Sequence, residues 1–267
     1  MLESRAMEND RSPGSLGALG RESAALFRET AAQAAAVLLP ALLAGTVLAA
    51  AAFLFTGLLS REALNAAISD GQWLRAAPIL AAGLLKRLLA SLAFVALVFA
   101  VEARHAGRPL STREAYGLAV ERFIPFLYTA ALAVLRIFGG LLLFVIPGIV
   151  LALRYTLAHL AVLLEELRGK PALERSAALV RAEPARALGY LAAATLVAIA
   201  LNFLCALAVT VFTGLTAALG AGSVGVIQGQ FEALLAEFLE SMVGAWLVGF
   251  SILLYRDLVS RHPLAEN

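Results

Sequence analysis

The sequence predicts an all-α, polytopic bundle of six transmembrane helices, and three observations predict it. Of the 267 residues, 61% are hydrophobic and only 15% charged, where soluble domains average about 45–50% and about 25%; mean hydropathy is +0.85. The apolar residues gather in runs long enough to cross a bilayer core of about 30 Å, which takes about 20 helical residues. The basic residues, finally, fall almost wholly on alternate loops.

The elements follow in order. Residues 1–30 are polar and of mixed charge, and are expected to form a disordered or interfacial cytoplasmic tail. Ala31–Leu59 is the first span, 29 residues without a charge. It exceeds a secretory signal's apolar core of about 7–15 residues, so it is read as a span and not as a signal. The second span starts near Gly83, carries Lys86 and Arg87 at its outer end, and runs to Val101. Phe123–Ile146 is the third and Gly148–Leu164 a short fourth. One helix from Phe123 to Leu164 would be about 63 Å long, twice the membrane, so the chain is expected to fold back at Pro147-Gly148. Ala187–Phe231 has no charge over 45 residues, about 67 Å as helix. Its tail "GLTAALGAGSVGVIQGQ" reads as a loop, which leaves Ala187 to about Thr213 as the fifth span. The sixth runs from about Glu237 to Tyr255. The chain thus divides into the tail 1–30, a six-helix domain 31–256 and a short cytoplasmic tail 257–267.

Basic residues set the orientation. Arg5, Arg11, Arg21 and Arg28 precede span one; Arg104, Arg108, Arg113 and Arg122 lie between spans two and three. Arg168, Lys170, Arg175, Arg181 and Arg186 lie between spans four and five, with Arg256 and Arg261 after span six. The opposite side carries Arg61 and Arg75, with Lys86 and Arg87 at its interface. Both termini are therefore expected in the cytoplasm. The net charge of +2 gives no reason to expect a nucleic-acid partner.

The two long basic loops resemble each other. "GRPLSTREAYGLAVE", from 107, aligns without a gap on "GKPALERSAALVRAE", from 169, with Gly, Pro, Arg, Ala and Glu in register. The offset pairs spans two and three with four and five in one orientation, which suggests a parallel repeat; chance similarity in an Ala-rich chain is the alternative. Each loop also reads as an amphipathic cytoplasmic helix. Ser111–Glu114 offers a capping box, with Tyr116, Val120 and Phe123 on one face and Arg113, Gly117 and Glu121 on another. In the second loop Leu173, Ala177 and Val180 oppose Glu174, Ala178 and Arg181. Such helices either lie on the membrane surface, with arginines near anionic headgroups, or act as packed connectors.

Residues 139–191 add a family resemblance. Small residues before an apolar run, Ile146-Pro147-Gly148, Arg154-Tyr155, Glu165-Glu166, Ala172, Arg175-Ser176 and Val180-Arg181, together with the closing "LLYRDL" at 253–258, resemble the membrane domain of glycerophosphoryl diester phosphodiesterases and related bacterial inner-membrane proteins. The resemblance covers about residues 80–258 and implies a six-helix protein of a bacterial cytoplasmic membrane. It does not imply phosphodiesterase activity, because family enzymes carry a separate soluble catalytic domain. Only nine residues follow "LLYRDL", so none is expected in this sequence.

Little in the sequence points to chemistry. His105, His159 and His262 lack metal-ligand spacing, and the lone Cys205 in an apolar run is read as packing. "GAGSVG" at 220–225 matches the dinucleotide pattern only formally, since it follows a membrane span and not a strand, and Ser223 has no neighbouring base. No cofactor and no catalytic residue are expected. What stands out is charge within the membrane. Arg136 lies mid-span, where an arginine costs about 2.5–3.5 kcal/mol on insertion scales, and Arg154 follows the Pro-Gly break. With Asn202 and His159 they are the candidate anion or lipid-headgroup site; a structural arginine satisfied by carbonyls and water is the other reading. Lys86 and Arg87 on span two, and Glu237 and Glu240 on span six, enter the membrane at one depth and are expected to pair. The expected function is that of a non-enzymatic integral membrane protein, lipid-binding or membrane-organising, with membrane lipids as partners. The alternative is a small transporter or permease subunit for an anionic solute.

Overall fold

The structure, a computed structural model, describes residues 15–56, 65–66, 68–218 and 225–263, without the side chains of 53–54, 56 and 216–232. Among these residues the chain forms helices α1 (Leu16–Thr56), α2 (Trp73–His105), α3 (Thr112–Leu143), α4 (Val145–Arg154), α5 (Ala158–Leu164), α6 (Lys170–Ala182), α7 (Pro184–Ala218) and α8 (Gly225–Arg261). Six stretches are long and apolar enough to cross a membrane: α1, α2, α3, α4 with α5, α7 and α8. The fold is an all-α bundle with six such helices.

α1, α2 and α8 pack on one another as the centre; α3 lies against α2, and α7 against α8. α8 is the most enclosed candidate span, and α3 and α7 the least. α1 begins fifteen residues before the expected first span. The reason is a buried stripe of Leu19, Ser23, Leu26, Thr30, Ala34 and Val37, spaced by three or four as one helical face requires. Its two polar members bond back into their own helix, Ser23 Oγ to the Gly20 carbonyl and Thr30 Oγ1 to that of Leu26, at 2.9 and 2.8 Å.

The first expected amphipathic loop helix is not a separate element: it is the start of α3, which runs unbroken to Leu143. The Ser111/Glu114 capping box is formed, and no breaker follows that a helix cannot absorb. The buried positions there are Ala115 and Ala119, while Val120 is exposed, so small residues let α3 approach its neighbours. Tyr116 Oη donates to the Val37 carbonyl of α1 at 2.7 Å. The second loop helix, α6, is separate. Leu173, Ala177 and Val180 are buried, and Glu174, Ala178 and Arg181 exposed. It is a packed connector against α4, α5 and α7.

The chain reverses at Phe144, three residues before the expected Pro147-Gly148 turn. Phe144 alone is extended; its N–H donates to the Gly140 carbonyl at 3.0 Å, and its carbonyl accepts from Gly148 N–H at 3.4 Å. Pro147 then falls in the first turn of α4, where its missing N–H removes no helical bond. Gly148 serves close approach instead of the turn, since a β-carbon there would lie 2.8 Å from the Leu141 backbone nitrogen. So short a reversal leaves few backbone groups without a partner, as an apolar surrounding demands.

The matched loops share one backbone feature: Gly107 and Gly169 both have positive φ, 72° and 62°. They differ in the next step. α6 starts directly after Gly169, whereas α3 starts only at Thr112, and Arg113 is exposed where its counterpart Arg175 is buried.

Candidate ligand cavity and the charge network

α2 and α8 run side by side, and two ion pairs join them. Lys86 Nζ meets Glu237 Oε2 at 2.8 Å, and Arg256 pairs with Glu102. The pairs are 16 residues apart on α2 and 19 on α8, about 24 and 28 Å of helix, close to the thickness of a bilayer core. Gly45 on α1 makes room for the first pair, because a β-carbon there would sit 2.8 Å from Lys86 Cγ. Arg87 and Glu240, the other two expected partners, are exposed and do not join it.

Between these pairs lies a cavity of about 440 Å³, within the range of small-molecule sites. Its walls are mainly apolar, with Leu38 and Leu42 of α1, Phe94 of α2 and Val248 of α8 among them. Small residues create it: Ala90 and Ala93 on α2 face Gly244 and Ala245 on α8, and a β-carbon on Gly244 would touch nothing within 4 Å. Its lining extends from Lys86 to Leu97 on α2, about 16 Å along the axis. The Lys86–Glu237 pair closes one end, and Thr156 and His159 line the wall from the α4/α5 break. The His159 ring lies against Phe94, 5.7 Å between centroids.

The break itself is internally satisfied. Between α4 and α5 the backbone leaves the helix at 155–157, and Ser176 of α6 fills the gap. Its Oγ donates to the Arg154 carbonyl at 2.7 Å and accepts from Leu157 N–H at 3.2 Å.

A charge network ties α5, α6, α7 and α8 together at the Arg256 end. Arg175, on the buried face of α6, holds Glu165 through Nε at 3.0 and 3.2 Å and the His262 carbonyl through Nη1 at 3.0 Å. Asp257, whose side chain is fully buried, accepts from Arg186 Nε at 2.7 Å and Arg261 Nε at 3.2 Å. Glu183 bonds His262 Nε2 at 3.2 Å. The Tyr255 hydroxyl is buried beside Glu165 and Arg175, with no hydrogen bond of ordinary geometry among the described residues. In the sequence Glu165, Arg175-Ser176 and "LLYRDL" stand out as pieces of a resemblance, and Arg175 and Arg256 as basic loop residues, but not as partners; a charged residue flanked by apolar ones on a packed face is the signal that they pair.

Of the expected anion-site residues, His159 lines the cavity. Arg136 on α3 and Arg154 on α4 do not line it; both are half-buried and make no side-chain hydrogen bond or ion pair among the described residues. Asn202, the fourth residue of the expected site, does not join Arg136: its Oδ1 is buried without a partner among the described residues, and α7 packs chiefly on α8 and α6. Ser223 and most of "GAGSVG" lie outside the described residues. Among the described residues no group of His, Cys, Asp or Glu is placed to hold a metal. No family model matches the chain, and no curated protein or solved structure is found similar to it.

Proposed function

We propose that this chain is a non-enzymatic integral membrane protein that binds lipid, an apolar chain lying in the α1/α2/α8 cavity and a polar end at Lys86–Glu237. The observation that carries this reading is the shape of the cavity: elongated, apolar along its walls, with an ion pair at one end only. An apolar ligand is favoured along such walls by about 25 cal/mol per Å² removed from contact with water, and a charged pair at the mouth orients a polar head. The resemblance of residues 80–258 to phosphodiesterase membrane domains, which rests on the residues quoted for it, supports a bacterial cytoplasmic membrane as the location. The fifteen basic residues on one set of loops support cytoplasmic termini.

The test is lipid retention. Protein purified in mild detergent is extracted and its lipids identified by mass spectrometry. Gly244→Phe fills the cavity from a position with open space, so it is expected to fold normally and lose most of the retained lipid. Retention equal to wild type in that variant would defeat the reading.

Transport of an anionic solute has one observation in its favour, the discontinuous α4/α5 segment, since transporters often bind at broken helices. Here, however, Ser176 already occupies the Arg154 carbonyl and Leu157 N–H, which leaves those groups unavailable to a solute. Anion flux in proteoliposomes above that of empty vesicles would reverse this preference.

A further inference from the structure

The α3/α4 hairpin carries two arginines with no assigned role. Its contact register is set by glycines: a β-carbon on Gly140 would lie 3.1 Å from Gly148 Cα and 2.9 Å from Leu151 Cδ1. Arg136 is one turn before Gly140 and on the same face of α3. Arg154 is three residues after Leu151, at the edge of the face that α4 turns towards α3. In an antiparallel pair those two steps go the same way, so the register puts both arginines at similar depth on one flank of the hairpin, about 12–15 Å from the reversal at Phe144.

No described residue neutralises them. Both are half-buried and make no ion pair among the described residues. The seventeen residues between them, "IFGGLLLFVIPGIVLAL", contain no polar side chain. Going the other way, the first acid on α3 is Glu121, about 22 Å along the helix. Glu165, beyond the α4/α5 break, is held by Arg175, and Glu174 of the adjoining α6 faces Lys170. Two neighbouring guanidiniums in a water-poor setting repel each other unless an anion lies between them. Planar forks on two sides match a tetrahedral oxyanion, which can accept from both at once, better than a carboxylate, which one arginine suffices to hold.

We propose that Arg136 and Arg154 form a phosphate site, taking a phosphate ester from a phospholipid headgroup or a soluble phosphate. The site is separate from the α1/α2/α8 cavity and does not depend on what that cavity binds. The full chain, delipidated in dodecyl maltoside, is titrated with dioleoylphosphatidylglycerol or with inorganic phosphate and followed by phosphorus NMR. Saturable binding is expected. Arg136→Gln with Arg154→Gln should weaken it by at least about tenfold, the loss of two charge-assisted contacts. Removing two exposed charges elsewhere, Arg108→Gln with Arg181→Gln, should change it less than about twofold, as expected for screened surface charge. Saturation by the lipid and not by inorganic phosphate identifies a headgroup site, and the converse a soluble anion; either supports the site. Should the double glutamine variant fail to fold, the two single lysine variants decide, each keeping the charge but losing the fork and binding more weakly than wild type. No saturable binding of either probe by wild type, or wild-type affinity in the arginine variants, overturns the assignment.

Discussion

Replacing Arg175 by methionine should be one of the most damaging single changes in this protein. The arginine side chain is 7% exposed and its partner Glu165 16%, so the pair is shielded from water almost entirely. Arg175→Met keeps the length and apolar stem but removes two contacts to Glu165 and one to the His262 carbonyl. Glu165 is then left as a buried, uncompensated carboxylate, at a cost of about 3–5 kcal/mol. At about 1.4 kcal/mol per tenfold, the folding equilibrium should fall by more than a hundredfold. Adding Glu165→Leu removes the stranded charge, so the double variant should recover most of that loss, because apolar substitutes for a buried pair are often neutral. Equilibrium unfolding in mixed micelles of dodecyl maltoside and sodium dodecyl sulfate, followed by tryptophan fluorescence, measures both. A single-variant cost under about 1 kcal/mol, the value of an exposed pair, would refute the account of this network. So would a double variant no better than the single.

Exchanging the half-buried pair on α2 and α8 by Lys86→Glu with Glu237→Lys should restore folded yield that either single change lowers, measured by size-exclusion chromatography of detergent extracts. Gly148→Ala drives a β-carbon to 2.4 Å from Leu141 Cγ and should cost about 1–3 kcal/mol, as overpacking does, in the same unfolding assay. Tyr255→Phe removes a buried hydroxyl that lies beside Glu165 and Arg175 but makes no hydrogen bond of ordinary geometry among the described residues, so stability should change by less than about 1 kcal/mol; a loss above about 1.5 kcal/mol would mean that the hydroxyl makes a hydrogen bond.

By itself the sequence determined how many helices could span a membrane and roughly where, because run length and hydropathy act locally and additively. It also determined the capping of α3 at Ser111, whose two partners lie three residues apart, and the amphipathic face of α6, which is a matter of period alone. Span ends were less legible. α1 extends well beyond its apolar run because tertiary packing buries a stripe of small and weakly polar residues there, Ser23 and Thr30 among them, that hydropathy does not register. The reversal at Phe144 was misread for a related reason: Pro147 and Gly148 look like a turn, yet one suits the first turn of α4 and the other suits contact with Leu141. Lys86 and Glu237 could be matched by depth because two parallel helices share one axis. Only the folded bundle decided that Arg175 finds Glu165, that Arg186 finds Asp257, and that Ala90, Ala93 and Gly244 face one another across a cavity. Those outcomes depend on the relative rotation of helices far apart in sequence. Rotation is set by close packing over the whole bundle, so no local stretch of sequence records it.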